Sequence, residues 1–232
     1  MTIDDSVLAQ KYYYIGRLYY YGMPWLESDD EVATEFFDKA ALLGHPDGIF
    51  QCGMSYFEGF GREDVDYSRA FELFVLAGND NGTYFVARCY HYGRGVKQSY
   101  EKAIRIYENL TRRGYSYAAM SLGHMYRFAE GVEKDIARAI EYYRIAAELG
   151  NAAGCLQLAK LYFYGEDVEK DEEQYHRWLD EWARLDVGPE DPYFYDECAP
   201  KEYEEAIELF RSLARAGDDE CQKILDRAGM LY

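Results

Sequence analysis

The sequence predicts an all-α fold, a solenoid of antiparallel helix hairpins, on three observations. Apolar residues recur at helical spacing in short stretches that glycine closes; Ala139 to Gly165 holds two of them back to back, ended by Gly150 and Gly165. The pattern returns at a fixed step, with anchors Gly44, Gly78, Gly114 and Gly150 spaced 34, 36 and 36 residues apart, a period that marks stacked repeats rather than one globular core. Within each step the same residue types keep the same places. Four after the anchors stand Gly48, Gly82, Ala118 and Gly154; eight after, Cys52, Val86, Leu122 and Leu158; nine after, Gly53, Ala87, Gly123 and Ala159; twelve after, Tyr56, Tyr90, Tyr126 and Tyr162.

Each element follows from this register. The first hairpin spans about Asp5 to Tyr21 and Ser28 to Leu43, entered as Ile15, Gly16, Tyr19 and Gly22 without a leading glycine. Met23-Pro24-Trp25 turns the chain, and Ser28-Asp29-Asp30-Glu31 reads as a capping box that fixes the second start at Ser28. The second hairpin takes Pro46 to Glu58 and Asp66 to Ala77. Its Ala70-to-Gly78 span is eight residues where the matching spans are eleven, so its second helix is expected to lose nearly one turn. The third runs Asp80 to Tyr92 and Ser99 to Arg113, the fourth Tyr115 to Phe128 and Asp135 to Leu149, the fifth Asn151 to Tyr164 and Asp171 to Asp186. Gly188 to Pro200 then breaks the rhythm with three prolines and an aromatic cluster, expected as an ordered loop. Helices over Lys201 to Ala216 and Asp218 to Ala228 follow, the last closing the end of the stack. The expected organisation is therefore a repeat solenoid over 1–187, and over 188–232 an insertion loop with capping helices of the same solenoid.

Positions four, eight and twelve after each anchor climb one helix face, with position nine beside them. Small residues there let the partner helix approach, and a tyrosine buries its ring while its hydroxyl stays bonded at the edge. These positions are scaffold.

With Leu122-Gly123, Tyr126, Gly131-Val132, Lys134-Asp135, Ala139, Tyr143 and Ala146-Ala147 in register, the chain resembles the Sel1-like repeat family, relatives of the tetratricopeptide repeat, over about 7–186 and more weakly over 201–217. The resemblance implies a right-handed superhelix of antiparallel helix pairs, a usual role as adaptor for protein complexes, and first helices that line a concave side. Some secreted bacterial members carry a disulfide in each repeat, a pairing absent here. Ala129, the shortened second unit and 188–200 depart from the family pattern.

Composition narrows the class. The five cysteines, Cys52, Cys89, Cys155, Cys198 and Cys221, are odd in number and fall at three repeat positions, which is no disulfide framework; they read as small buried side chains in a reducing cytosol. The N-terminus carries Asp4 and Asp5 where a signal peptide needs positive charge, and no stretch is apolar enough to span a bilayer, so a soluble cytoplasmic protein is expected. Net charge is −18, and 20 of the acids fall between Glu166 and Glu220 against 6 Lys and Arg. That field disfavours nucleic acid. It serves either to keep a tyrosine-rich surface soluble or to attract a basic protein partner.

No catalytic, cofactor or metal motif survives inspection: there is no phosphate loop, no His-Glu-x-x-His, no Cys-x-x-Cys and no Gly-x-Ser-x-Gly. His45, His91, His124 and His176 lack a second ligand at metal spacing and read as satisfied or solvated. A column on the first helices is the better candidate. Ten after the anchors and their N-terminal equivalent stand Arg17, Met54, Arg88, His124 and Lys160; fourteen after, Tyr21, Glu58, Tyr92, Phe128 and Tyr164; seven after, Tyr14, Gln51, Phe85, Ser121 and Gln157. On the implied concave face, Tyr14, Arg17, Tyr21, Phe85, Arg88, Tyr92, His124, Phe128, Lys160 and Tyr164 would hold a peptide, basic groups on its carboxylates and rings in contact. The same rings and arginines would equally serve packing between hairpins and pairing with local acids. Two functions are therefore expected: a non-enzymatic adaptor binding a protein or peptide in the groove, or alternatively an immunity- or inhibitor-type protein whose acidic C-terminal quarter masks a basic target such as a toxin or nuclease. A hydrolase is not supported, for want of a nucleophile with its base.

Overall fold

A computed structural model describes residues 4–185 and 200–230. Among the described residues are α1 (Asp5–Tyr21), α2 (Asp30–Leu42), α3 (Pro46–Glu58), α4 (Tyr67–Ala77), α5 (Asp80–Tyr92), α6 (Tyr100–Arg112), α7 (Ser116–Phe128), α8 (Ile136–Glu148), α9 (Ala152–Tyr164), α10 (Glu172–Arg184), α11 (Pro200–Arg215) and α12 (Asp219–Ala228), and no strand. The fold is all-α, as the repeat period requires. Of the stretch 188–200, expected as an ordered loop, residues 188–199, with Cys198, lie outside the described residues, and Pro200 opens α11.

One motif closes five hairpins. Asp29, Asp66, Ser99, Asp135 and Asp171 each cap the second helix by accepting, through the side chain, the backbone N–H three residues on. Their own backbone N–H groups donate to the carbonyls of Tyr19, Tyr56, Tyr90, Tyr126 and Tyr162 at 2.8–3.2 Å. Three residues past the cap, Arg69, Lys102 and Arg138 lay their cations over the rings of Tyr56, Tyr90 and Tyr126 at 5.7, 4.7 and 5.3 Å. The repeated tyrosine thus joins the two helices through both backbone and ring. The cap of α2 is Asp29, one residue beyond the Ser28 that the capping-box pattern suggests, because Asp29 is the residue whose side chain reaches the Val32 N–H.

Small residues act at the helix crossings. A Cβ on Gly16 would meet the Phe37 ring at 2.6 Å, on Gly53 the Phe74 ring at 2.8 Å, and on Gly123 the Tyr143 ring at 2.4 Å, so each glycine is the seat of an aromatic ring from the second helix. The second hairpin is short as expected: α4 has 11 residues against 13 in α2, α6, α8 and α10.

The chain divides into two compact units, Met1–Gly82 with Asp196–Tyr232, and Thr83–Tyr195. In the first, α11 and α12 pack against α1, the opening helix of the array, and share one core with it: Tyr14, Ile15 and Leu18 meet Ile207, Phe210, Leu213 and Leu225. Lys11 of α1, buried, reaches Asp218 at 2.7 Å and Glu220 at 2.8 Å. The closing helices therefore cover the beginning of the repeat series. In the second unit Tyr143, Leu158, Leu161 and Trp178 centre the core of α7 to α10. Cys52, Cys89, Cys155 and Cys221 are buried free thiols, and burial pushes Cys52 up to about 12 and Cys89 to about 11, which leaves them protonated and unreactive. No helix among the described residues is long and apolar enough to cross a membrane.

Candidate functional site

The second unit holds a cavity of about 430 Å³. Its wall is built from successive first helices: Tyr84, Arg88, His91 and Tyr92 from α5, Ser121, His124 and Phe128 from α7, and Asn151 at the start of α9, with Tyr107 of α6 behind them. The repeat sets this geometry, since residues 36 apart on stacked hairpins stand side by side. Tyr84 and Tyr107 are buried and form the floor. Tyr92 and Phe128 lie at the surface, 54% and 56% exposed. Each is backed by an imidazole, Tyr92 by His91 at 4.3 Å and 11° and Phe128 by His124 at 5.8 Å and 15°.

Charge is fixed around these rings. His91, only 3% exposed, places Nε2 2.9 Å from Glu130 Oε2, and its Nδ1 has no hydrogen-bond partner among the described residues. Burial lowers the His91 pKa against the pull of Glu130, with Arg88 adding to the lowering; burial likewise lowers His124, again against Glu130. Both imidazoles are therefore neutral at pH 7. Arg88 stacks its guanidinium on Phe85 at 4.8 Å. Ser121 donates to the Tyr117 carbonyl at 3.0 Å and sits 3.2 Å from the Tyr84 hydroxyl. Arg127 pairs with Asp167 at 3.0 Å, and Lys134 meets the same carboxylate at 2.7 Å, which ties the fourth hairpin to the fifth.

The comparisons with known proteins agree with this architecture. The Sel1 repeat matches the chain at residues 12–45, 46–82, 80–115, 116–151, 152–187 and 183–218. The chain belongs to the Sel1 repeat family. It is similar to a Sel1 repeat protein of Oxalobacter formigenes of solved structure, with a TM-score of 0.65 at 25% identity over 95% of this chain and 87% of that one. Among curated relatives it is 33% identical over 92 residues to the Sel1-like repeat-containing protein C1B3.10c of Schizosaccharomyces pombe, covering 38% of this chain and 14% of the relative. It is 32% identical over 102 residues to HRD3B of Arabidopsis thaliana, an ERAD-associated E3 ubiquitin-protein ligase component, covering 43% of this chain and 15% of the relative. The chain thus spans about a seventh of the length of the curated relatives it matches.

In Sel1 register, the predicted column divides. Arg88, Tyr92, His124 and Phe128 come together at the cavity. Phe85 is buried beneath Arg88, and Lys160 and Tyr164 are exposed but do not line the cavity. In the first unit Tyr14 and Arg17 are buried rather than presented on an open face. Tyr14 meets Phe210 of α11 edge-on at 6.5 Å, and Arg17, 2% exposed, lies by the rings of Tyr13 and Tyr21 at 5.8 and 5.3 Å. The docking of α11 on α1 takes Tyr14 into the core. Sequence reasoning missed Tyr84, His91, Tyr107 and Glu130. Tyr84 and His91 stand one turn before and one turn after Arg88, so the helical step was the available signal; Tyr107 and Glu130 come from α6 and a linker, where the column gave none.

Proposed function

We propose that this Sel1 repeat protein is a non-enzymatic interaction scaffold that captures a protein or peptide partner at the cavity of its second unit. The observation that carries the reading is the pair of aromatic rings, Tyr92 and Phe128, held outward at the cavity by the imidazoles behind them. Large rings already fixed in place give contact area at small entropic cost, which is the character of binding hot spots. The hydroxyl of Ser121 donates to the Tyr117 carbonyl and lies against the Tyr84 hydroxyl, an engagement that supports binding over catalysis. That HRD3B is a component of a ligase assembly is in keeping with a scaffold. The test is affinity capture from the protein's own host with the natural chain and with Tyr92→Ala/Phe128→Ala. A partner held by the first and lost by the second, at unchanged unfolding midpoint, is the expected result; a partner held equally by both sinks the reading.

A second reading is favoured by charge alone. Residues 166–232 carry 21 Asp and Glu against 8 Lys and Arg, a field suited to masking a basic target such as a toxin or nuclease. On that reading the partner stays bound to Tyr92→Ala/Phe128→Ala and is released by moderate salt.

A further inference from the structure

Charge along this acidic chain reverses where the cavity lies. Residues 83–165 contain 12 Lys and Arg against 7 Asp and Glu, a net +5, whereas 1–82 and 166–232 carry −10 and −13. Every residue lining the cavity falls within the basic stretch. Arginines gather around it: Arg88 lies over the buried Phe85 at 4.8 Å, Arg94 over Tyr92 at 5.8 Å, and Arg127, paired with Asp167, over Phe128 at 5.1 Å. Glu130 is the one carboxylate in the lining and faces His91. The imidazoles are neutral, so Arg88 supplies the positive charge inside.

We infer that the cavity is a receptor for an acidic aromatic peptide motif, a Glu or Asp beside a Phe, Tyr or Trp in a partner protein. This rests on the scaffold reading above and names its partner's chemistry. The partner's carboxylate sits on the Arg88 guanidinium, whose planar fork of N–H donors matches a carboxylate. The adjacent ring enters between Tyr92 and Phe128, where aromatic faces and their bound guanidiniums prefer another π system to an aliphatic chain. A cavity of about 430 Å³ is in the range that encloses small ligands and side-chain anchors. Glu130 limits the site to one acid, and the net charge of −18 on the whole chain disfavours polyanions such as nucleic acid. The net charge of the whole chain points to a basic partner, and the +5 of the stretch that carries the cavity to an acidic one.

The test uses the full chain with three probes: N-acetyl-Glu-Phe-amide, N-acetyl-Lys-Phe-amide and N-acetyl-Glu-Ala-amide, each titrated while the His91 and His124 ring signals are followed by NMR. The expected result is saturable shifts with the Glu-Phe probe, at least roughly fivefold tighter than either other probe. Arg88→Gln should erase the preference of Glu-Phe over Lys-Phe, and Phe128→Ala the preference of Glu-Phe over Glu-Ala. Because Phe128 is exposed, the second variant keeps the fold. Equal or tighter binding of the Lys-Phe probe, equal binding of the Glu-Ala probe, or no saturable shift with Glu-Phe overturns the inference. Should the dipeptides fail while a captured partner still depends on Tyr92 and Phe128, the acidic motif is wrong and the scaffold reading stands.

Discussion

The ring of Tyr143 lies so close over Gly123 that a Cβ there would stand 2.4 Å from its Cε1. Tyr143 is fully buried, so the ring has little room to withdraw. Gly123→Ala should therefore destabilise the protein. Overpacking costs roughly 1–3 kcal/mol, here toward the upper end because the overlap is severe, and the better helix propensity of alanine returns about 1, leaving a net loss of about 1–2 kcal/mol by urea unfolding. An unchanged or raised midpoint would show that the second hairpin helix slides freely.

Ala129 is the one non-glycine residue at positive φ among the described residues, at φ 59°, where α3 and α9 end on Gly59 and Gly165 in the same left-handed conformation. It closes α7 by donating its N–H to Met125. An L residue there carries roughly 1–2 kcal/mol of strain, of which the greater chain entropy of glycine gives back about 0.5–1. Ala129→Gly is expected to stabilise by about 0.5–1 kcal/mol and raise Tm by roughly 1–4 °C. A lower Tm would sink this account.

Much of this fold was legible because a repeat states each rule several times. Tyr126 or Asp135 alone says little; in register with Tyr56, Tyr90, Tyr162 and Asp66, Ser99, Asp171 they define where each hairpin turns. The one-residue error at Ser28 arose because two neighbouring polar side chains both fit a cap pattern, and only the approach of the chain from Tyr19 selects Asp29. Arg88, His124, Tyr92 and Phe128 were legible as a column for the same reason. Arg17 and Tyr14 were not legible as core. The burial of Tyr14 depends on where α11 docks, and residues 188–200 break the register that would have carried that information; Arg17 folds back between rings of its own helix, Tyr13 and Tyr21.

Lys11 is a buried cation held by Asp218, which also caps α12 by accepting the Cys221 N–H. Burial opposes the lysine charge, and the contacts with Asp218 and Glu220 outweigh it, so its pKa is raised; burial opposes the Asp218 charge too, and Lys11 holds that carboxyl below its usual value. Lys11→Ala leaves Asp218 without its cation and should cost about 3 kcal/mol, the order found when one partner of a buried pair is removed. Faster hydrogen exchange should appear first in α11 and α12. Uniform loosening of all helices instead would show that the clasp does not hold these two in particular.

Three histidines share one direction of shift: burial lowers the pKa of His45, His91 and His124. A lowered folded pKa means that between the folded and unfolded values the unfolded chain binds more protons, so stability rises with pH there. The stabilisation is complete above the unfolded value of about 6.5 and is lost as pH falls below it towards the folded values. The lowered carboxylates Asp167 and Asp218 add their own contribution only above the acid range and lose it below about 3.8, outside this window. Unfolding free energy measured by urea at pH 7.5, 6.5 and 5.5 should therefore decline most in the last interval, by at most about 1.4 kcal/mol per pH unit for each histidine. In His124→Gln, which cannot take up the proton, the decline should be shallower. A protein as stable at pH 5.5 as at 7.5 would mean that these imidazoles are open to solvent, and with them the wall of the cavity.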